Sequence, residues 1–494
     1  MNDSTYIIFA FVLYLGAMMA IGVLYYKKTS NMSDYILGNR QLGAWIISMS
    51  AEASDMSGWM LMGLPGYAYV AGFNAGWIGL GLAIGTLLNW QFVASRLRNY
   101  TELANNSLTL PDFFQNRFKD TSNFLRVIPA IFILIFFVIY TSSGFVAGGK
   151  LFETIFHLPY EYSLFLGAFV VVFYTFVGGF TAVCTTDFIM GLMMFGAILV
   201  VPTMAALSLG GIPETASMIF TAHPTFFEPL IKPDGSTLSM IEFVSLMGWG
   251  LGYFGQPHIL VRFMAISSAK EIKPAMNIAM TWVAISLTAA VIVGMVGSVY
   301  LTEPLTGTNA ETVFLVMTHR LFNPFAAGIV LSAVLAAIMS TASSQLLVAA
   351  SAIAQDFYAA IIKKNAGEGE LVWVGRFSVL AIALMSLVLG LNPNSYILDM
   401  VAYAWAGFGA AFGPITLAAL FWRRTTRNGA IAGIIVGGIT VLVWKQLALF
   451  GLYELVPGFI FSSIAIVIVS LMDKAPSKDI TDVFDKMVAM GKNQ

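Results

Sequence analysis

The chain has 494 residues, of which 58% are hydrophobic and only 10% are charged, and its formal net charge is −1. A water-soluble domain of this size could not keep so apolar a surface dispersed, so most of the surface is expected to face lipid. The near-neutral charge excludes nucleic acid as a partner, because no basic patch is available to neutralise phosphates. The single cysteine, Cys184, excludes an internal disulfide framework and a multi-cysteine metal site.

Apolar stretches long enough to cross a membrane recur along most of the chain. Each has roughly 18 to 28 residues, and a helix of that length crosses a hydrocarbon core of about 30 Å. About thirteen spans are predicted from apolar windows between polar or Gly/Pro breaks. A single signal peptide cannot explain so many. The predicted spans cover residues 5–26, 42–72, 74–95, 125–155, 160–179, 187–209, 239–265, 274–301, 324–357, 371–391, 396–422, 428–448 and 452–472.

Lys and Arg are distributed unevenly between alternate connections of these spans. Of the 25 basic residues, about 21 fall on one side of the membrane and about 4 on the other. Because basic loops are retained in the cytoplasm, we expect the N-terminus outside and the C-terminus inside. The smaller group is Lys150, Lys232, Arg320 and Lys445, and the larger group includes Lys27, Lys28 and Arg262.

Two spans contain an unusual density of glycine and proline at membrane depth. The second reads SMSAEASDMSGWMLMGLPG and the seventh reads SLMGWGLGYFGQPH. Such sequences weaken a helix and free backbone groups, which hydrocarbon tolerates only where they line a cavity or bind something. The two spans are five apart, an odd number, so a second unit that repeats the first would be inverted in the membrane. The pattern favours an inverted-repeat transporter with discontinuous helices and a site near the midplane.

Asp55 in the second span is the strongest single indication of function. An ionised carboxylate at membrane depth costs on the order of several kcal/mol unless it meets a cation, a donor or water. Asp55 either caps amides freed by the broken helix or helps to hold a cation, and the oxygens of Ser54 and Ser57 favour the cation. Glu52 is a weaker candidate, because it could face a cytoplasmic vestibule or another polar helix.

The ninth span contains a second group of oxygens, in the sequence AAIMSTASSQ. Helical geometry places the carbonyl of Ala337 on the same face as the hydroxyls of Ser340 and Thr341. A small hard cation prefers such oxygens. Ser and Thr in membrane helices also bond back to the preceding turn or join helices, so the spacing alone leaves both interpretations open.

Aromatic residues with polar edges are candidates for a substrate cavity. Trp249 and Tyr253 are four residues apart on the seventh span and could stack against a small ring or aliphatic solute. Tyr140 in the fourth span, followed by TSSG, could add a hydroxyl to the same cavity. Packing between helices is the competing interpretation for all three side chains.

Asp187 and Arg40 lie near predicted span ends. Asp187 could lie on an ion exit route, but at the predicted start of the sixth span we expect it to cap that helix. Arg40 precedes the second span, where a positive anchor on the cytoplasmic side explains it.

No catalytic or nucleotide-binding motif is present, since HExxH, GxSxG and GxxxxGKS are all missing from the sequence. The chain is therefore not expected to be an enzyme or an ATP-driven pump, and its energy source should be an ion gradient. One sodium ion moving down about 100 mV gains about 2.3 kcal/mol, and a tenfold gradient adds about 1.4 kcal/mol. Together these terms would sustain roughly a few hundred-fold accumulation of a neutral solute.

Four segments together resemble the sodium/solute symporter family, and within it the members that carry proline. The resemblance extends from about residue 30 to residue 476. It implies an all-α, LeuT-like integral membrane protein of the bacterial cytoplasmic membrane, with two inverted five-helix repeats, that imports L-proline with sodium. The segments are SAEASDMSGWMLMGLPG, SLMGWGLGYFGQPHILVRFMA, LSAVLAAIMSTASSQLLV and AYAWAGFGAAFGPITLAALFWRRTTRNGA. The implied divisions are an extra N-terminal helix in 1–30, repeats in 42–209 and 239–422, two C-terminal helices in 428–472 and a cytoplasmic tail in 473–494.

The resemblance also assigns roles to individual residues. A transported sodium ion is the implied cofactor, L-proline and membrane lipid are the implied partners, and no obligatory protein partner is implied. The implied sodium site comprises the carbonyls of Ala53, Met56 and Ala337 and the hydroxyls of Ser340 and Thr341, with Asp55 as the acidic residue needed for sodium-dependent binding. The implied proline pocket comprises Ser57, Gly58, Tyr140, Trp249, Tyr253 and Pro257, and the coupling residues are Arg40 and Asp187.

Glu52 departs from the family pattern, which has a small residue at this position in close relatives. The extra carboxylate beside the ion site could alter ion preference or proton sensitivity, or it could be a solvated bystander. The competing functions are sodium- or proton-coupled uptake of another small amino acid or compatible solute, a channel, and a transporter-like sensor. A channel would not accumulate solute, and a sensor would need more than the roughly twenty residues that follow Asp473.

Overall fold

Helices account for the regular structure, as the composition and hydropathy predict. The computed structural model describes residues 3–26, 32–177 and 180–492. Within these ranges there is no β-strand, only isolated bridges between Leu42 and Ile266 and between Ile231 and Thr237. The prediction of an all-α protein is therefore confirmed. Lys27 and Lys28, which support the predicted orientation, lie outside the described residues.

Among the described residues, the first half of the chain forms eleven α-helices, and two short π-helical segments occur at Trp59–Gly63 and Asn89–Ala94. The helices are α1 (Asp3–Tyr26), α2 (Met32–Leu37), α3 (Ala44–Asp55), α4 (Leu64–Ala71), α5 (Gly76–Leu88), α6 (Ser95–Leu103), α7 (Leu110–Phe118), α8 (Phe124–Phe156), α9 (Tyr160–Val177), α10 (Phe180–Ser208) and α11 (Ile212–Ala222).

The second half supplies ten more, with a 3₁₀ segment at Gly248–Gly255 and a π-helical segment at Ala352–Ile362. The helices are α12 (Met240–Met247), α13 (Pro257–Ala265), α14 (Ile272–Tyr300), α15 (Val313–Leu321), α16 (Pro324–Ser351), α17 (Glu368–Leu389), α18 (Ile397–Phe421), α19 (Arg427–Leu447), α20 (Leu455–Met472) and α21 (Lys478–Lys492).

Ten described helical stretches are long and apolar enough to cross a membrane by length and composition. The difference from the predicted thirteen arises at three places. The stretch Trp59–Leu103 counts once although Gly72 interrupts it, and the apolar run Tyr160–Phe176 is shorter than the other spans. The third place is the interrupted region from Met240 to Ala265. The number thirteen therefore stays a prediction.

The second and seventh spans are discontinuous, as their glycine and proline content predicts. Helix α3 ends at Asp55, because Met56 takes the non-helical angles φ −83° and ψ 78°. In the seventh span, the 3₁₀ segment ends at Gly255, the next residue Gln256 is extended with a ψ of 108°, and α13 starts afresh at Pro257. Proline suits this first helical position because its missing amide would have no partner in the helix. Both breaks lie inside buried sequence.

Glycine in the seventh span allows it to pack closely against its neighbours. A Cβ atom added to Gly250 would overlap the carbonyl of Gly81, and one added to Gly252 would overlap the indole of Trp405. The indole nitrogen of Trp405 in turn donates to the carbonyl of Trp249 at 2.8 Å. The seventh span is therefore held at its break by α5 and α18.

Adding a methyl group at Gly252 is expected to destabilise the protein. In Gly252→Ala the new Cβ meets the Trp405 indole, and overpacking of this kind costs about 1–3 kcal/mol. Thermal unfolding of the purified protein in detergent measures the effect. Gly196→Ala is the matched control, since nothing lies within 4 Å of a Cβ at that membrane-helix position. Equal unfolding temperatures for the two variants would contradict the packing described.

The last helix, α21, is amphipathic and docks on the polar ends of the other helices. Its Phe484 and Met487 are buried, and its Asp485 pairs with Arg423 at 2.9 Å. Asp479 pairs with Lys119, and this hydrogen bond lowers the pKa of Asp479 to about 2. These exposed pairs are expected to weaken as salt screens them.

Candidate functional site

The hydroxyl groups of the ninth span contact the backbone at the break in the second span. Ser340 donates to the carbonyl of Ala53 at 2.7 Å and lies 3.2 Å from the carbonyl of Ala337. Thr341 donates to the carbonyl of Ala53 at 3.3 Å. The structure thus brings together four of the five groups expected to bind sodium. The fifth, Met56, is buried at the break itself, where its amide donates to the carbonyl of Glu52 at 2.8 Å.

Both interpretations of the ninth-span hydroxyls are visible in this geometry. Ser340 bonds back to its own helix and also across to α3, so it joins helices and at the same time gathers oxygens. Neutral carbonyl and hydroxyl oxygens suit a small hard cation. No group of three or more His, Cys, Asp or Glu side chains that could hold a metal occurs among the described residues.

Asp55 faces the seventh span. Its Oδ2 accepts a hydrogen bond from the hydroxyl of Tyr253 at 2.5 Å. Its backbone carbonyl accepts from the Tyr140 hydroxyl at 3.2 Å and from the Trp59 indole at 3.0 Å. In the part of the chain that the structure describes, no hydrogen bond joins the Asp55 carboxylate to Ser340. Asp55 thus connects the broken second span to the fourth and seventh spans.

The capping interpretation of Asp55 does not describe its contacts. Ser57 accepts the amide of Trp59 at its hydroxyl, over 3.4 Å, and the amide of Met60 at its carbonyl, over 3.0 Å. The amide of Ser57 donates to the main-chain carbonyl of Asp55 at 3.0 Å. The amides of Ser57, Trp59 and Met60 thus find acceptors other than the Asp55 side chain, which accepts from Tyr253 instead.

Trp249 and Tyr253 belong to a buried cluster of aromatic rings near Asp55, which we call the aromatic wall. The Trp249 ring lies 6.4 Å from that of Trp59 and stacks on Tyr453 at 5.6 Å. The Tyr253 ring meets Trp405 edge-on at 5.0 Å. Rings in such offset and edge-on arrangements contribute to packing as well as to recognition of an apolar solute.

Two predicted pocket residues lie apart from this wall. Gly58 packs against Ala147 of the fourth span, where an added Cβ would approach to 2.8 Å. Pro257 begins α13 and lines a small cavity with Leu110 and Asp356. Gly58 therefore allows a close approach of the two helices, and Pro257 lines a cavity that includes neither Trp249 nor Tyr253.

Asp187 does not cap a helix, and that expectation was wrong. It lies inside α10, which already includes Phe180, and it is fully buried. Its Oδ2 accepts from the Ser50 hydroxyl at 2.7 Å and from the Arg262 guanidinium at 3.2 Å. Arg262 is only 1% exposed and also donates to Ser344 at 2.5 Å. This buried ion pair joins the second, sixth, seventh and ninth spans.

Arg40 makes more contacts than an anchor requires. Its guanidinium donates to the carbonyls of Met264 at 2.8 Å and Ser107 at 2.9 Å, and to the hydroxyl of Thr101 at 3.1 Å. Burial, followed by the neighbouring Arg98 charge, lowers the pKa of Arg40 to about 10. Arg40 therefore stays charged at neutral pH and fastens the start of the second span to the ends of the third and seventh.

Sequence reasoning missed Arg262, Trp59 and Trp405 as site residues. Arg262 was counted only as one of the basic residues near the cytoplasm, although the structure buries it. Its partner Asp187 is 75 positions away in the chain, so spacing gave no signal. The one available signal was that an arginine and an aspartate at membrane depth each need an opposite charge.

Comparisons with known proteins agree on one group of transporters. The sodium:solute symporter family matches residues 35–437. The sodium/proline symporter of Escherichia coli (strain K12) is 50% identical over 482 residues, which cover 97% of this chain and 95% of that protein. The osmoregulated proline transporter OpuE of Bacillus subtilis (strain 168) is 46% identical, with 99% and 100% covered. A solved structure of a Na⁺-coupled sialic acid symporter has a TM-score of 0.80 at 20% identity, with 97% and 100% covered, which shows a shared fold.

Proposed function

The chain belongs to the sodium:solute symporter family, and we propose that it imports L-proline together with sodium ions by alternating access. The proposal of proline rests on relatives close to half identical over almost the whole chain, one of them named as a sodium/proline symporter. The observation that carries the sodium site is the contact of Ser340 and Thr341 with the carbonyl of Ala53. The protein is a multi-pass membrane transporter and not an enzyme.

In the proposed mechanism, sodium binds between the second and ninth spans and replaces the hydrogen bonds of the two hydroxyls. The ion would be held by the carbonyls of Ala53, Met56 and Ala337 and the oxygens of Ser340 and Thr341. An ion bound to the carbonyl of Met56 would hold the backbone at the break in one conformation. The neighbouring Asp55 and Ser57 would then be held in place, and so would the aromatic wall that Asp55 contacts through Tyr253. Sodium therefore raises proline affinity, and proline must raise sodium affinity by the same factor.

The proposed pocket for proline lies beside Asp55, between Tyr140 and the aromatic wall that contains Trp249 and Tyr253. These rings offer apolar faces to the pyrrolidine ring, and hydroxyl groups lie beside Asp55. Gly58 and Pro257 would act through backbone packing, because their side-chain positions face other helices. Arg40 and Asp187 are proposed to couple ion binding to the opening and closing of the transporter. Each joins spans that must separate when the site changes from facing one side of the membrane to facing the other.

The proposed arrangement in the membrane follows the basic residues. The N-terminus would lie outside and the C-terminus in the cytoplasm of a bacterial cell. The proposed repeats are residues 42–209 and 239–422, preceded by a helix in 1–30 and followed by two helices in 428–472 and the tail 473–494. The broken second and seventh spans occupy the same place in each repeat, which supports this division.

Uptake by proteoliposomes tests the proposed function. Purified protein should accumulate labelled proline when an inward sodium gradient is applied, and unlabelled proline should compete. Lithium and proton gradients serve as comparisons for ion preference, and protein-free liposomes as the control. If another amino acid accumulated and proline did not compete with it, the assignment of proline as the substrate would be wrong. Proline binding indifferent to sodium would overturn the coupling.

Removing the Tyr253 hydroxyl is expected to weaken proline transport. Tyr253→Phe leaves the buried Asp55 carboxylate without the donor it has at 2.5 Å, and a hydrogen bond to a charged group is worth about 1.5–3 kcal/mol. The proline concentration for half-maximal uptake should therefore rise by about tenfold or more. Tyr358→Phe is the matched control, because it removes a tyrosine hydroxyl bound to Glu370 outside the site. Equal uptake constants for the two variants would contradict the assignment.

A further inference from the structure

A cavity of about 620 Å³ lies between the ends of the third and eighth predicted spans and the last helix, α21. We call it the basic cavity, because the described residues that line it include three basic side chains and no acidic one. The three are Arg96 on α6, Lys270 just before α14 and Lys273 in the first turn of α14. The lining therefore has an excess of three positive charges at one end of the helical bundle.

Other cavities at the polar ends of the helices contain acidic residues that offset their basic ones. One of them includes Asp112 and Asp120, and another includes Asp112 and Glu368. None of the three basic residues of the basic cavity takes part in an ion pair within the part of the chain that the structure describes. Their charge is therefore left for a ligand of opposite sign.

Arg96 is held in place by contacts that do not neutralise it. One of its terminal nitrogens donates to the main-chain carbonyl of Leu420 at 2.9 Å. Its guanidinium carbon lies 4.2 Å from the centre of the Phe421 ring, a cation–π contact. The guanidinium thus keeps its full charge while its position beside the basic cavity is fixed.

An exposed apolar stripe on the third span leads to the basic cavity. It consists of Ile84, Leu88 and Phe92, which are spaced at four residues and are all exposed. Phe92 itself lines the cavity, and so does the exposed Phe421. In a membrane protein, an exposed apolar surface of this kind contacts acyl chains. The basic cavity therefore lies where acyl chains meet lipid head groups.

The inner wall of the basic cavity is Trp90, which packing holds in place. Its ring meets Phe263 edge-on at 4.5 Å, and its indole nitrogen donates to Glu52 at 3.3 Å. Glu52 is only 2% exposed, so it is not a solvated bystander. Met487 and Val488 of α21 line the opposite side. Because these contacts already form the walls, a ligand would not have to order them.

We propose that the basic cavity binds the phosphate head group of an anionic phospholipid, whose acyl chains lie along the apolar stripe of the third span. Basic pockets between membrane helices recognise anionic head groups, and both arginine and lysine bind phosphate oxygens. A free phosphate ion shares this chemistry, but the exposed stripe beside the cavity favours a ligand with an apolar tail. The inference concerns a bound lipid and does not depend on which solute is transported.

Native mass spectrometry of the full-length protein in detergent, titrated with phosphatidylglycerol, tests the site. The unaltered protein should retain one phosphatidylglycerol at concentrations at which it retains no phosphatidylcholine, whose head group carries no net charge. Each basic side chain near an anionic lipid contributes about fivefold to binding. The triple variant Arg96→Gln, Lys270→Gln, Lys273→Gln should therefore bind phosphatidylglycerol about a hundredfold more weakly.

A second triple variant removes the same amount of charge outside the basic cavity. It combines Lys474→Gln, Lys478→Gln and Lys486→Gln, three exposed lysines near the polar ends of the helices that do not line this cavity. Its affinity for phosphatidylglycerol should stay within about twofold of that of the unaltered protein.

Three results would overturn the lipid site. Equal losses of binding in the two triple variants would show only a general attraction between basic residues and anionic lipid. Undiminished binding in the first triple variant would show that the lipid binds elsewhere. Displacement of phosphatidylglycerol by an equal concentration of inorganic phosphate would show a site for a soluble anion.

The single variant Lys273→Gln guards against a loss of folding. Lys273 is exposed, so its replacement should leave the unfolding temperature in lipid-free detergent unchanged while binding of phosphatidylglycerol weakens by about fivefold. Lys273→Arg keeps the charge and should restore binding. Unchanged binding in Lys273→Gln would contradict the assignment even if the triple variant failed to fold.

Discussion

Ser340→Ala is expected to raise the sodium concentration needed for half-maximal proline uptake by about tenfold to a hundredfold. The hydroxyl of Ser340 is 2.7 Å from the carbonyl of Ala53 and 3.2 Å from that of Ala337, so it belongs to the oxygen cluster that we propose as the sodium site. A hydrogen bond to a charged group is worth about 1.5–3 kcal/mol, and we expect the loss of one oxygen ligand to the ion to cost a similar amount. Thr341→Val should have a similar effect, because Thr341 reaches the same carbonyl at 3.3 Å.

Ser332→Ala provides the control on the same helix. Its hydroxyl is buried and bonds back to the carbonyl of Gly328 at 2.8 Å, without reaching another helix. Uptake should be measured over a range of sodium concentrations at fixed proline. If Ser340→Ala and Ser332→Ala showed the same sodium dependence, the ninth-span hydroxyls would serve only helix packing.

Asp187→Asn is expected to lower the free energy of unfolding by about 3–5 kcal/mol, more than the Gly252→Ala change described above. It leaves the Arg262 guanidinium, which is 1% exposed, without its counter-charge in the core of the helical bundle. The loss should appear as a lower unfolding temperature in detergent and as a smaller folded fraction after extraction. Asp485→Asn removes an exposed partner of Arg423 and should change stability by only about 0–1 kcal/mol.

The double variant Asp187→Asn, Arg262→Gln distinguishes an unpaired charge from lost packing. Removing both charges should restore much of the stability, so the effects of the single changes will not be additive. Additive losses in the double variant would show that the pair is not the cause. Sodium-dependent uptake by the double variant then reports whether the pair also couples the spans.

The breaks in the helices were predictable because their chemistry is local. Glycine and proline weaken a helix wherever they occur, and α3 indeed ends beside Met56 and α13 begins at Pro257. The carbonyl of Ala337 and the hydroxyls of Ser340 and Thr341 were likewise placed by helical spacing alone. The common acceptor of the two hydroxyls, the carbonyl of Ala53, could be placed only by knowing which helices pack together, and the family resemblance alone supplied that.

Asp187 was expected to cap the start of the sixth span because polar residues precede it, but those residues lie inside a helix. Thr185 and Thr186 precede it and suggest a helix start, but their hydroxyls bond back to Thr181 and Ala182 at 2.8 and 2.9 Å. Back-bonded threonines are compatible with the interior of a membrane helix. Helix α10 therefore runs through them, and Asp187 meets Arg262 instead of a free amide.

The hydrogen bonds from Ser340 and Thr341 to Ala53 also bear on the unloaded carrier. In the absence of an ion, the hydroxyls of Ser340 and Thr341 donate to the carbonyl of Ala53. The transporter can therefore return to its outward-facing state without leaving this carbonyl unpaired inside the membrane. The same hydroxyls thus take the place of the ion during the return half of each cycle, and replacing either one leaves the carbonyl of Ala53 with one donor fewer in that step.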